Sequence, residues 1–80
     1  MITWTGCDSA IVGVASRCGM PSVVCYDFDK LVEHFMSSGM TDEEAVEWID
    51  HNILGAYVGE ETPMLLYRGD ILTCEEMLNG

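Results

Sequence analysis

Eighty residues carrying fourteen Asp and Glu against Arg17, Lys30 and Arg68, a formal net charge of -11, leave room for one small hydrophobic core and no second domain. That charge excludes direct binding to nucleic-acid phosphates or anionic lipid over most of the surface, and it calls for basic or cation-bearing partners. With 49% apolar residues the chain is too rich in Val, Ile, Leu and Trp for an acidic disordered segment, so residues 1–80 are expected to fold as a single small domain.

After the lead MITWTGCD, the stretch SAIVGVASR sets Ile11, Gly13 and Ala15 against Val12, Val14 and Ser16, the two-residue alternation of a strand at about 10 to 17. CGMP at 18 to 21 joins Gly to Pro, a turn signal, and SVVCYD supplies a second strand at about 22 to 27, making a hairpin. Gly13, inside the first strand, marks a bulge or the close approach of a helix.

From Asp27 the period changes. Phe28, Leu31, Val32, Phe35 and Met36 recur at helical spacing, so a helix capped by Asp27 is predicted to end at Ser37-Ser38-Gly39, with Gly39 at the left-handed C′ position. A second helix starts at Thr41, whose partner Glu44 completes a capping box. Ala45, Val46, Ile49 and Ile53 form its apolar face, with Trp48 and Asn52 at the border, and Glu43, Glu47 and Asp50 lie opposite with Glu44 flanking them. Gly55 and Gly59 place its end near 54 to 58. MLLYRG at 64 to 69 reads as a third strand entered through Pro63, and Thr73 with Glu76 has capping-box spacing before Met77 and Leu78, which predicts a terminal helical turn.

This order predicts an α+β fold: a three-stranded, mostly antiparallel sheet packed with two main helices and a short C-terminal helix. Trp48, Phe28, Phe35 and the strand valines are expected to share one core, with Trp4 closing an end. The longest apolar run, AIVGVA at 10 to 15, is far short of the ~20 residues that cross a bilayer, and no basic-then-apolar signal opens the chain. Together these give the expectation of a cytoplasmic protein with no membrane partner.

Chemistry is sparse. Cys7, Cys18, Cys25 and Cys74 form no C-x-x-C pair, so neither a zinc ribbon nor a redox motif is present, and free thiols are expected. Cys74, near the C-terminus, is the one expected at the surface, where it can form an intermolecular disulfide in air. His51 follows Glu47 by four residues, but neither it nor His34 has a third ligand at metal-site spacing, and D-x-D-x-D-G and H-E-x-x-H are both absent. Cys7 and Ser9 precede a strand without a G-x-S-x-G elbow, and GCDSAIVG lacks the Lys of a phosphate loop. No metal, no cofactor and no catalytic residue is expected.

The acidic helix face remains. Glu43, Glu47 and Asp50 span seven residues, about 10 Å of rise. Phosphates on one strand of duplex DNA recur roughly every 3.4 Å of axis, so such a row can imitate a short phosphate track. A solvated face ordinarily intersperses both signs. Here Glu43 and Glu47 repel at i, i+4 without compensation, destabilising the helix by about 0.2–0.5 kcal/mol, as a surface kept for a basic partner would. Asp29 and Glu33 on the first helix, with Glu60 and Glu61 after the second, are expected to widen the field.

GCDSAIVG, VVCYDFDKLVEHFM and GMTDEEAVEWIDHNILGAYVGEETPMLL, over residues 6 to 66, resemble a family of small phage and prophage proteins, most specifically at Gly39-Met40-Thr41, Asn52, Gly55, Tyr57, Gly59 and Thr62-Pro63. In size, acidity and element order the chain also resembles DNA-mimic anti-CRISPR inhibitors of the type I-C system. That resemblance implies a three-stranded antiparallel sheet, three helices, and an acidic surface that occupies the Lys- and Arg-lined groove of a CRISPR-Cas surveillance complex in the host cytoplasm.

The resulting expectation is a non-enzymatic inhibitor, monomeric or a weak or disulfide-linked homodimer. In it Glu43, Glu44, Glu47 and Asp50 meet the partner, and Asp29, Glu33, Glu60 and Glu61 form an outer ring. Two alternatives stand beside it. One is a sponge for nucleotide signals, which needs Arg17, Lys30 or Arg68 at a pocket, and the other is a small phage structural protein that pairs through an apolar surface.

Overall fold

A computed structural model of the chain describes residues 2–54 and 57–79. A 3-10 turn at Asp8–Ala10 leads into β1 (Ile11–Arg17) and β2 (Met20–Asp27). Two helices follow, α1 (Phe28–Ser37) and α2 (Asp42–Ile49), the second continued by a π turn at Asp50–Leu54. The chain then gives β3 (Met64–Leu66) and α3 (Ile71–Asn79). Among the described residues no helix is long and apolar enough to cross a membrane.

β1 and β2 form an antiparallel hairpin with Arg17 opposite Met20, closed by Cys18-Gly19 with Gly19 at φ +79°. The register slips twice. Near Ile11 the extra residue is in β1, where Gly13 takes φ +154°, a backbone that side chains rarely permit, so the bulge reading of this glycine holds. Nearer the turn the extra residue is in β2, where Pro21, which has no N–H for the ladder, is accommodated.

Two helices separate β2 from β3, and that crossover returns the chain to the same end of the sheet. β3 therefore pairs with β2 in parallel, Cys25 with Met64 and Asp27 with Leu66, giving a mixed sheet of order β1-β2-β3. The third strand stops at Leu66, short of the predicted residue 69. Arg68 lies beyond it.

The helix ends follow their local chemistry. Asp27 Oδ1 accepts the Lys30 N–H at 3.0 Å to start α1. At its end Gly39, at φ +109°, donates to the Met36 carbonyl while Met40 donates to that of Phe35, the paired bonds of a Schellman motif. Thr41 and Glu44 close the capping box of α2: the Glu44 N–H donates to Thr41 Oγ1 and the Thr41 N–H to Glu44 Oε1. The helix widens at Asp50, and Asn52 Nδ2 donates to the Trp48 carbonyl at 3.1 Å. Its predicted break at Gly55 lies outside the described residues. At α3 the cap is Asp70 rather than Thr73. Asp70 Oδ1 accepts the Thr73 N–H at 2.9 Å, so the helix begins two residues before the predicted cap.

Tyr26, Leu31, Ala45 and Ile49 are fully buried, joined by Ala10, Val24, Cys7 and Ile53 and flanked by Trp4, Ile11, Phe28, Val32, Phe35 and Leu65. Trp4 closes one end of the core, its ring 4.4 Å from that of Tyr26 and its backbone N–H donating to the Tyr26 hydroxyl at 2.8 Å. The buried stripe of α2 is narrower than its sequence suggests. The core lies on one side of this helix, so Ala45, Ile49 and Ile53 are sequestered while Val46 and Trp48, to either side, stay 42% and 44% exposed.

Candidate functional site

The five carboxylates of TDEEAVEWID divide by what holds them. Asp42 Oδ1 accepts the Glu43 N–H at 2.9 Å, and Glu44 is engaged in the capping box. Hydrogen bonds from the Thr41 N–H and hydroxyl lower the Glu44 pKa, because they favour the ionised form. Glu43, Glu47 and Asp50 are exposed, and none forms an ion pair with a described residue. Asp50 retains right-handed helical backbone (φ -61°, ψ -47°), so the row holds its direction up to the π turn. Its far end nears Tyr67, whose hydroxyl pKa is raised first by burial and then by the Asp50 charge.

The other predicted acids are exposed as well, but they do not join this row. Glu33 shares a shallow groove with Lys30, His34 and Ser9, so this acid of α1 lies beside a cation. Glu60 lines a cleft with Arg17, Met20 and Tyr57, and Glu61 one with Ile2, Val14 and Ser22. Both therefore sit against the hairpin, because the chain after α2 crosses back to the sheet to reach β3. The field is a row on α2 with separate outposts, rather than a ring.

On the side of α2 away from that row, at the border of its apolar face, is a groove of about 440 Å³ whose walls include Trp4, His34, Phe35, Trp48 and Asn52. Trp48 faces Phe35 at a centroid distance of 6.2 Å, and His34 meets Phe35 edge-on at 5.0 Å. Sequence reasoning placed Trp48 in the core and Trp4 at one end of it. The border position of Trp48 on its helix was the signal that half of the ring faces out.

Also unforeseen is the partner of Asp27. Arg68 Nε donates to Asp27 Oδ2, the one ion pair among the described residues. Arg68 is thereby committed, Arg17 and Lys30 line separate clefts, and the three cations do not converge on a pocket.

All four cysteines are free thiols. Cys18 is the exposed one, because it forms the hairpin turn. Cys74 is half-buried with its Sγ 3.6 Å from the Gly69 carbonyl, which corrects the expectation that it is the most accessible. Among the described residues no three His, Cys, Asp or Glu side chains gather closely enough to hold a metal ion. Compared with family models, curated proteins and solved structures, the chain gives no match.

Proposed function

We propose that the chain is a non-enzymatic acidic binding module that occupies a basic, nucleic-acid-binding groove of a partner protein. In its most specific form it is a phage-type inhibitor that keeps target DNA off a CRISPR-Cas surveillance complex in the host cytoplasm. The observation that carries this reading is the row of Glu43, Glu47 and Asp50: exposed, without a cation among the described residues, and unneeded for the helix start, which Thr41, Asp42 and Glu44 serve. Charge attraction speeds such an encounter and fades with salt. The resemblance to type I-C inhibitors names the partner to try first.

A band-shift assay with purified type I-C surveillance complex tests the proposal. Excess protein is expected to abolish target-DNA binding, and a Glu43→Gln, Glu47→Gln, Asp50→Asn triple variant to require at least about tenfold more protein, since close interfacial charge pairs couple by ~1.5 kcal/mol or more. Unaltered DNA binding in excess protein overturns the inhibitor reading.

A further inference from the structure

The aromatic groove lies on the far side of α2 from Glu43, Glu47 and Asp50, so the acidic row makes no use of it. Trp48 is 44% exposed there, and the open space of about 440 Å³ is within the range of small-ligand sites. An irregular backbone builds one wall. α2 widens into the π turn Asp50–Leu54, a form frequent at functional sites. That turn places Asn52 and Ile53 in the groove, and Asn52 Nδ2 donates to the Trp48 carbonyl.

The walls select the ligand. Phe35 is inclined by 55° to Trp48 and by 70° to His34, at centroid distances of 6.2 and 5.0 Å. A flat ring stacks between parallel faces, whereas inclined rings make a corner that a compact, rounded group fills. Aromatic faces carry the negative side of the ring quadrupole, so a cation in that corner is attracted. No Asp, Glu, Lys or Arg is among the described residues of the wall. A protonated amine or a guanidinium would leave N–H donors without a carboxylate there, while a quaternary ammonium has no donor to satisfy.

The surrounding field has the matching sign. Glu44 stands one helical turn before Trp48, and Asp8 lies beside Cys7, another residue of the wall. The chain as a whole carries -11, which draws in cations and repels phosphate-bearing ligands. Lys30, one turn before His34 on α1, lines the neighbouring groove together with Glu33.

We propose that the groove of Trp4, Phe35 and Trp48 binds a quaternary ammonium head, carried by a small organic cation or by a trimethylated lysine, through cation–π attraction. The site is independent of the acidic row.

Ligand-observed NMR of the choline methyl signal at fixed ionic strength tests this, with neohexyl alcohol, the uncharged compound that has carbon in place of nitrogen, as the comparison. Wild-type protein is expected to bind choline at least about threefold more tightly than the alcohol, as a cation–π contact at an exposed site gives. Trp48→Leu, at a half-exposed position, is expected to lose that preference with circular dichroism unchanged. The Glu43→Gln, Glu47→Gln, Asp50→Asn triple variant is expected to keep it. A short neutral peptide bearing one trimethyl-lysine then separates the sources: tighter binding than choline assigns the head to a protein, and equal binding to a free cation. No choline binding by the wild type, or equal affinity for choline and the alcohol, overturns the proposal whether or not the variants fold. So does a preference that survives Trp48→Leu or vanishes in the triple variant.

Discussion

Arg68 reaches back across the sheet to Asp27, forty-one residues earlier, and the same carboxylate holds the first turn of α1 through the Lys30 N–H. One fully buried side chain thus ties the exit of β3 to the start of α1. Its two oxygens are used separately, so the cap and the ion pair do not compete. Removing Arg68 leaves the carboxylate buried with the cap alone. Arg68→Ala is expected to cost about 1–3 kcal/mol in urea unfolding, less than for a wholly buried pair because the Arg68 side chain is 58% exposed. Asp27→Asn keeps a good capping side chain and removes the charge that needed compensation, so it should cost less. The reverse order would show that the pair, rather than the buried charge, sets the energy.

Acid should act on the same carboxylate. Burial alone would raise the Asp27 pKa, but the Lys30 N–H, the Arg68 hydrogen bond and charge, and the Asp29 N–H outweigh it, and the pKa is lowered. A carboxylate with a lowered folded-state pKa contributes stability that is complete above its unfolded value, about 3.9, and is lost as the pH falls through the folded value. Asp70, lowered chiefly by the Thr73 N–H, and Glu44 act in the same direction. Thermal melts from pH 7 to 2.5 should therefore hold, or rise slightly as the net repulsion relaxes, and then drop below about pH 4. In Arg68→Ala the folded-state pKa of Asp27 rises toward the unfolded value, so the part of the drop that Asp27 supplies should shrink. An unchanged acid limb in that variant would exclude Asp27 as its source.

Most local structure was legible in the residues because it is decided locally. Asp27, Thr41 with Glu44, and Gly39 each satisfy backbone groups within a few positions, so their roles could be read without knowing the fold. The α+β architecture followed from the change of hydrophobic period at Asp27. What was not legible depends on neighbours distant in sequence. The partnership of Arg68 with Asp27 requires the parallel entry of β3, which the two-helix crossover imposes. The outward turn of Trp48 and Val46 depends on α2 being covered from one side only. Glu60 and Glu61 looked like an extension of the acidic row because they follow α2 in sequence, but the chain carries them back to the hairpin. Thr73 had the right spacing for a cap, and Asp70, three residues earlier, took the role because its carboxylate meets the Thr73 N–H.

The division of labour along α2 makes stability and binding separable. Thr41→Ala removes the side chain that accepts the Glu44 N–H and should lower stability by about 1 kcal/mol, with Thr41→Ser restoring most of it. Glu43→Gln and Glu47→Gln relieve an i, i+4 like-charge pair and should instead stabilise by about 0.2–0.5 kcal/mol, even as they weaken attraction to a basic surface. Urea midpoints at constant slope measure both effects. If Glu43→Gln and Glu47→Gln destabilise α2, these carboxylates have a structural partner, and the row loses its standing as a surface kept for binding.

The four thiols should differ in reactivity for reasons visible in their surroundings. Only the thiolate attacks an alkylating reagent, so both access and pKa matter. Cys18, in the exposed hairpin turn, meets the reagent freely. Cys25 and Cys74 are half-covered. Cys7 is buried, and its pKa is raised first by burial and further by the Asp8 carboxylate beside it, so both requirements fail there. Iodoacetamide labelling followed by mass spectrometry should modify Cys18 first and Cys7 only under denaturing conditions. Early labelling of Cys7 in the folded protein would mean that the Trp4 end of the core opens readily, because Trp4 and Cys7 wall the same groove and one movement exposes both.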